Sequence, residues 1–123
     1  MPLTTSVLYD EGVALLALEG ELDLAVSGLL DAAVRRLLDD GLRLVVLDIG
    51  ELAFCDSSGL GALLRGSRTV RAAGGTCLVA GARGPVARLL ALTSMEQVIT
   101  LVADVQPALA DLRRAVTDSQ PDR

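Results

Sequence analysis

The run Leu44-Val45-Val46-Leu47-Asp48-Ile49 places five apolar side chains in six consecutive positions. A strand with one face in water alternates apolar and polar residues, whereas a strand covered on both faces has no need to. The run therefore predicts a central strand in the parallel part of an α/β sheet, with helices packed against it.

The flanking sequence fits that frame. Short apolar runs at Ser6–Tyr9 and Val13–Leu18 are separated by Asp10-Glu11-Gly12, a turn triplet whose glycine can adopt positive φ, so an antiparallel hairpin is expected. Gly20-Glu21-Leu22-Asp23 closes its second strand. Val26, Leu29, Leu30, Ala33, Val34, Leu37 and Leu38 then recur at helical spacing, with Ser27, Asp31, Arg35 and Arg36 facing outward. Asp31 and Arg35 are spaced for an i,i+4 pair worth about 0.3 kcal/mol, and Gly41 is placed to end the helix. A glycine-bounded helix is predicted over Ser57–Ala73, a strand over Thr76–Ala80, and a helix opened by Pro85 at its first position and carrying Val86, Leu89 and Leu90. A strand over Val98–Val102 and helical spacing at Val105, Leu109, Leu112 and Val116 complete the order β-β-α-β-α-β-α-β-α. The expectation is one α/β domain over residues 1–116, with a mixed sheet of four to five strands, followed by a polar tail at 117–123.

Composition removes many functions. The 123 residues hold no His, the commonest general base and metal ligand, and 16 acidic against 11 basic residues give a net charge of −5. All the basic residues are Arg. A nucleic-acid or anionic-membrane partner is not expected of such a chain. One Phe (Phe54), one Tyr (Tyr9) and no Trp leave the packing to aliphatic side chains. Cys55 and Cys77 lie at apolar positions without neighbouring Cys or His, and read as buried small hydrophobes in a reducing compartment, with no metal site. The first residues lack a basic, then apolar, leader pattern and no window approaches a membrane span, so a cytoplasmic location is expected. With no lysine, the phosphate-binding Gly-x-x-x-x-Gly-Lys pattern is absent. Gly59-Leu60-Gly61 lacks the third glycine of a dinucleotide fingerprint. Asp56-Ser57-Ser58-Gly59 lacks a hydrolase elbow and a histidine to serve it. The turn Gly81-Ala82-Arg83-Gly84-Pro85 could offer backbone N–H groups to an anion, although a plain strand-to-helix turn accounts for it more simply.

The informative segment is Leu52-Ala-Phe-Cys-Asp-Ser-Ser-Gly-Leu-Gly61, where an apolar strand end meets a polar triplet and then a helix. Asp56, Ser57 and Ser58 are good helix N-caps, and capping alone is a sufficient reason for them. The helix beyond has an unusual outer face, however. Leu60, Leu63, Leu64 and Ser67 form one stripe, and Ser57, Gly61, Arg65 and Arg68 line up on the other. Gly59, Gly61 and Gly66 each cost a helix roughly 0.5 to 1 kcal/mol relative to Ala, and read as a smooth surface for close approach by another protein. A phosphoryl group on Ser57 would bring nearly two negative charges to the centre of that surface.

Phe54-x-Asp56-Ser57-Ser58-Gly59-Leu60-Gly61, preceded by Leu44–Ile49 and by Gly20-Glu21-Leu22-Asp23, resembles the STAS domain of bacterial anti-sigma factor antagonists. The resemblance covers about residues 3 to 112. It implies a partner switch and not an enzyme: the unphosphorylated protein binds an anti-sigma factor serine kinase and frees the sigma factor, and a serine phosphatase restores binding after phosphorylation. It implies Ser57 as the phosphoacceptor, with Asp23, Asp56 and Ser58 shaping the docking surface, Gly59, Leu60 and Gly61 starting the contacting helix, and Arg65 further along it. ATP and Mg²⁺ would belong to the kinase, so no cofactor is expected here, and the motifs set no oligomeric state. Three positions depart from the family pattern. Cys55 replaces a larger aliphatic residue. Val26 stands where a Thr often follows the Gly-Glu-Leu-Asp motif, shifting the expected cap to Asp23 or Ser27. Thr93-Ser94-Met95 replaces a turn that usually carries glycine. Two other readings keep the fold or its size: a STAS module docking in a stress-signalling complex or lipid-transport system, and a small-molecule or nucleotide-binding module using Gly81–Pro85.

Overall fold

The computed structural model describes residues 3–119. Strands β1 (Thr4–Asp10) and β2 (Val13–Leu22) form the hairpin, followed by α1 (Ser27–Asp39), β3 (Leu44–Cys55), α2 (Ser57–Ala72), β4 (Thr76–Ala80), α3 (Gly84–Leu92), a short 3₁₀ turn (Met95–Gln97), β5 (Thr100–Val102) and α4 (Val105–Ser119). The sheet runs β1-β2-β3-β4-β5. β1 pairs antiparallel with β2, and the other neighbours are parallel, joined by helical crossovers.

Side-chain alternation in the central strands divides the core. Ala14, Leu16 and Leu18 of β2 and Val45, Leu47 and Ile49 of β3 meet Leu30, Val34 and Leu37 of α1, Leu60, Leu63 and Val70 of α2, and Val86 and Leu90 of α3. Val13 and Val46 point the other way, onto Ala108, Leu109 and Leu112 of α4. The Leu44–Ile49 run is thus covered on both faces, as its composition required. Burying each of these Leu, Ile and Val side chains contributes about 1.5 to 3 kcal/mol relative to leaving it in water. No aromatic ring joins this core: Phe54 is 47% exposed and Tyr9 57%.

Gly41 ends α1 with φ +89°; its N–H donates to the Leu38 carbonyl and that of Leu42 to the Leu37 carbonyl, a Schellman closure. Several expectations are corrected. Leu29 is 52% exposed and lies outside the buried stripe of α1. Neither Asp23 nor Ser27 caps α1: Val26 occupies the N-cap without a side-chain bond, and the Ser27 hydroxyl donates to the Leu24 carbonyl instead. β3 continues six residues beyond Ile49, to Cys55. It does so through register shifts opposite Ala17–Glu19 and Gly20–Glu21, bulges that break the two-residue alternation on which a strand is recognised. α3 begins at Gly84, which puts Pro85 at its second position. β5 starts at Thr100, because residues 95–97 wind into the 3₁₀ turn. α4 runs to Ser119, three residues into the stretch read as a tail; residues 120–123 lie outside the described residues.

Ser94 takes the left-handed conformation (φ 55°, ψ 35°) at the turn after α3. A side chain with a Cβ is strained there by about 1 kcal/mol, and glycine is not. Ser94→Gly is expected to raise the unfolding free energy by about 1 kcal/mol, read from urea denaturation. An unchanged or lower midpoint would show that the turn carries no such strain.

Candidate functional site

Parallel neighbours end at the same edge of a sheet, so the carboxyl ends of β2 and β3 bring Asp23 and Asp56 together. Leu22 is the register partner of Cys55, and the Asp56 N–H donates to the Leu22 carbonyl at 3.4 Å. Asp56 is the N-cap of α2, its backbone extended (φ −103°, ψ −172°) and its Oδ1 accepting from the Gly59 N–H at 2.9 Å. One of the orphan donors of the first turn is thereby satisfied.

Gly59 is buried, and its role differs from the smooth outer surface expected of it. A Cβ at this position would lie 2.3 Å from the Leu22 carbonyl oxygen and 2.8 Å from Cys55 Sγ. Glycine here lets the first turn of α2 close on the end of β2. Gly66 is also buried, facing Val34 of α1, where a Cβ would stand 3.4 Å from Cγ2. Of the three glycines only Gly61 is partly open. Leu60 is buried as well, so Gly59 and Leu60 position the helix and are not themselves presented to a partner.

What remains outward matches the predicted stripe. Ser57 occupies the first helical position of α2 and is exposed; Gly61, one turn on, is half-buried; Arg65 and Arg68 are exposed. Ser58 is half-buried. Arg65 reaches back along the helix, its Nη1 3.5 Å from where a Gly61 Cβ would be. Its Nε and Nη2 donate to Asp31 Oδ1 and Oδ2 at 3.3 and 3.2 Å. Asp31 therefore ties α1 to α2, and the Asp31–Arg35 pair expected within α1 gives way to this interhelical bridge. Asp23 is half-buried, and its Oδ1 is shut from solvent with no hydrogen-bond donor among the described residues, an arrangement that costs about 1 to 3 kcal/mol for a neutral acceptor and more for a charged one.

The sequence reading missed two neighbours. Phe54, given no role there beyond the family motif, and Leu24, 75% exposed, stand out at the same strand ends. A large ring two residues before the helix cap, where burial alternation had already lapsed, was the available signal. The Gly81–Pro85 turn is occupied by its own chain: Arg83 Nε and Nη2 donate to the Gly50 carbonyl at 3.1 and 2.8 Å, and the Gly81 N–H donates to the Val102 carbonyl.

The parts define a class: a small α/β domain that presents a capped, serine-bearing helix at the carboxyl edge of its parallel strands, beside exposed apolar and cationic side chains. The chain belongs to the STAS domain family, which matches residues 6–108. Its structure is similar to that of an anti-sigma factor antagonist from Mycobacterium paratuberculosis, at TM-score 0.80 and 27% identity, covering 91% of this chain and 95% of that one. SpoIIAA of Bacillus superposes in its unphosphorylated and phosphorylated forms at TM-scores of 0.68 and 0.66, with 19% and 17% identity, over 90% and 88% of this chain and 98% and 97% of SpoIIAA. The murine anion transporter Slc26a9 shares the fold at TM-score 0.71 and 18% identity, over 86% of this chain but only 18% of the transporter. No described helix of the present chain is long and apolar enough to cross a membrane.

Two predictions test this geometry. Gly59→Ala should lower the unfolding free energy by about 3 kcal/mol through overpacking, whereas Gly61→Ala, which meets only the end of Arg65, should raise it by about 0.5 kcal/mol. Equal urea midpoints for the two variants would refute the close approach at residue 59. Separately, burial, and secondarily the Asp56 charge, pushes the Cys55 thiol up from 9.0 to about 11, and burial pushes Cys77 up from 9.0 to about 12. Thiols held protonated in the fold ionise first in the unfolded chain. Their contribution to stability is thus whole below pH 9.0 and declines as pH rises towards those folded values. The urea midpoint should fall over that interval, and fall less in Cys55→Ala/Cys77→Ala; the same slope in both proteins would contradict the assignment.

Proposed function

We propose that this chain is an anti-sigma factor antagonist whose unphosphorylated form binds an anti-sigma factor serine kinase in the cytoplasm, freeing the sigma factor, and that phosphorylation of Ser57 ends the interaction. The observation that carries this reading is the exposure of Ser57 at the first position of α2, on a helix face built by the family motif. The similarity to antagonists, one of them solved in both phosphorylation states, supports it.

Physical chemistry favours a switch at that residue. A phosphate on Ser57 meets the positive end of the α2 dipole and the first-turn N–H groups, so the fold tolerates it. The same group adds nearly two charges and bulk at the middle of the docking face, where a partner must shed water. Phe54 and Leu24 supply exposed apolar area at the strand ends where half-buried Asp23 also lies. Asp56 caps the helix start that carries Ser57, with half-buried Ser58 beside it. A serine phosphatase would reset the switch, and ATP and Mg²⁺ act on the kinase side.

Incubation with the cognate kinase, Mg²⁺ and ATP is expected to add about 80 Da, one phosphoryl group, to the wild-type chain and nothing to Ser57→Ala. Ser57→Asp should weaken binding to the anti-sigma factor by about tenfold in titration calorimetry, through charge at the docking face. Phosphate incorporated equally into Ser57→Ala would overturn the assignment.

A further inference from the structure

The groove between α1 and α2 is lined by Asp31, Arg35, Arg65, Gly66, Arg68 and Thr69. It collects three of the chain's eleven arginines beside a single carboxylate, a local charge of +2 (three minus one) on a protein of net charge −5. Five arginines elsewhere are tied to their own chain, among them Arg83 to Glu51, Arg113 to Asp10 and Arg114 to Asp111, while Arg36 and Arg88 stand exposed outside the groove. Arg43 donates to the Leu38 and Leu42 carbonyls and Arg71 to that of Val98. Arg35 and Arg68 are exposed and make no ion pair with another described residue. Asp31 holds only Arg65, and fixes that guanidinium over Gly61, one turn from Ser57.

We propose that this groove receives an acidic segment of the protein partner, whose carboxylates pair with Arg35 and Arg68 while the partner covers Ser57. This rests on the reading of Ser57 as the centre of the docking face. An unpaired guanidinium presents a planar fork of donors that matches a carboxylate bidentately. On a protein of net charge −5, a groove that gathers three arginines gives an acidic segment a seat of opposite sign, and so sets the register of docking. Nucleic acid and anionic membranes share the charge but need a broad cationic face to repay the approach of a −5 protein, and three arginines in a cleft between two helices do not make one.

The test uses a short fluorescein-labelled Glu-rich peptide, followed by fluorescence anisotropy, with single-stranded DNA and phosphatidylserine vesicles as parallel probes. The wild-type chain should bind the peptide, with affinity falling as salt rises. Arg35→Glu/Arg68→Glu should bind it about tenfold more weakly, and Arg35→Gln/Arg68→Gln should lie between, with all three melting alike because the Asp31–Arg65 bridge is intact. The same order should hold for association with the anti-sigma factor. Equal peptide affinity in wild type and charge-reversed variant overturns the proposal, as does DNA or vesicle binding as tight as that of the peptide. If the variants match wild type in binding the anti-sigma factor while Ser57 is phosphorylated normally, the groove assignment fails and the Ser57 reading stands. If the peptide discriminates among the variants but Ser57 is never phosphorylated, the functional reading fails and the groove assignment stands.

Discussion

The contact between Gly59 and the carbonyl of Leu22 governs the geometry at the carboxyl edge of this domain's parallel strands. Because β2 and β3 are parallel neighbours, both deliver their carboxyl ends to one place, and α2 must start there. With a 2.3 Å gap between the carbonyl and any Cβ at residue 59, the helix settles only if that residue has none. The orientation of everything along α2 follows. Each helical residue advances the side chain by about 100°, so turning position 59 inward sends position 57 outward and carries 61, 65 and 68 with it. Ser57 is exposed because Gly59 is buried.

The same rotation sets the electrostatics. Gly61, on the outer face, leaves space along the helix surface that the Arg65 side chain fills, and Asp31 of α1 receives the guanidinium there. A bidentate bridge of this kind, about half exposed on its arginine side, contributes at most about 1 kcal/mol to stability. Its larger effect is placement. It links the two helices packed side by side on one face of the sheet and holds one cation near Ser57, while Arg35 and Arg68 keep their charge unpaired.

How much of this was legible in the sequence depends on whether the cause of each feature was local. Leu44–Ile49 announced a central strand because burial on both faces leaves its mark residue by residue. The Asp56 cap was legible for the same reason, since an N-cap bonds within its own turn. Gly59 was readable as a glycine but not as a contact, because the atom that excludes a side chain lies on β2, nearly forty residues earlier. Asp31 pointed to Arg35 by helical spacing and found Arg65 through tertiary packing. The exposure of Phe54 was not legible, because it depends on the bulges that shift β3 against β2.

That bulged end would reconcile the proposed switch with a rigid fold. β3 pairs with β4 only as far as Asp48 and Ala80, then runs on to Cys55 supported by β2 alone. The start of α2 is carried past the edge of β4, so its first turn is approachable without displacing any packed element. Gly59 and Leu60 anchor the turn from beneath, and Asp56 caps it from the side. On the proposed reading, a charge added to Ser57 would act on what arrives at the surface and leave the core contacts as they were. Such a switch would need no second conformation, because buried Gly59 and Leu60 hold the helix start against the core.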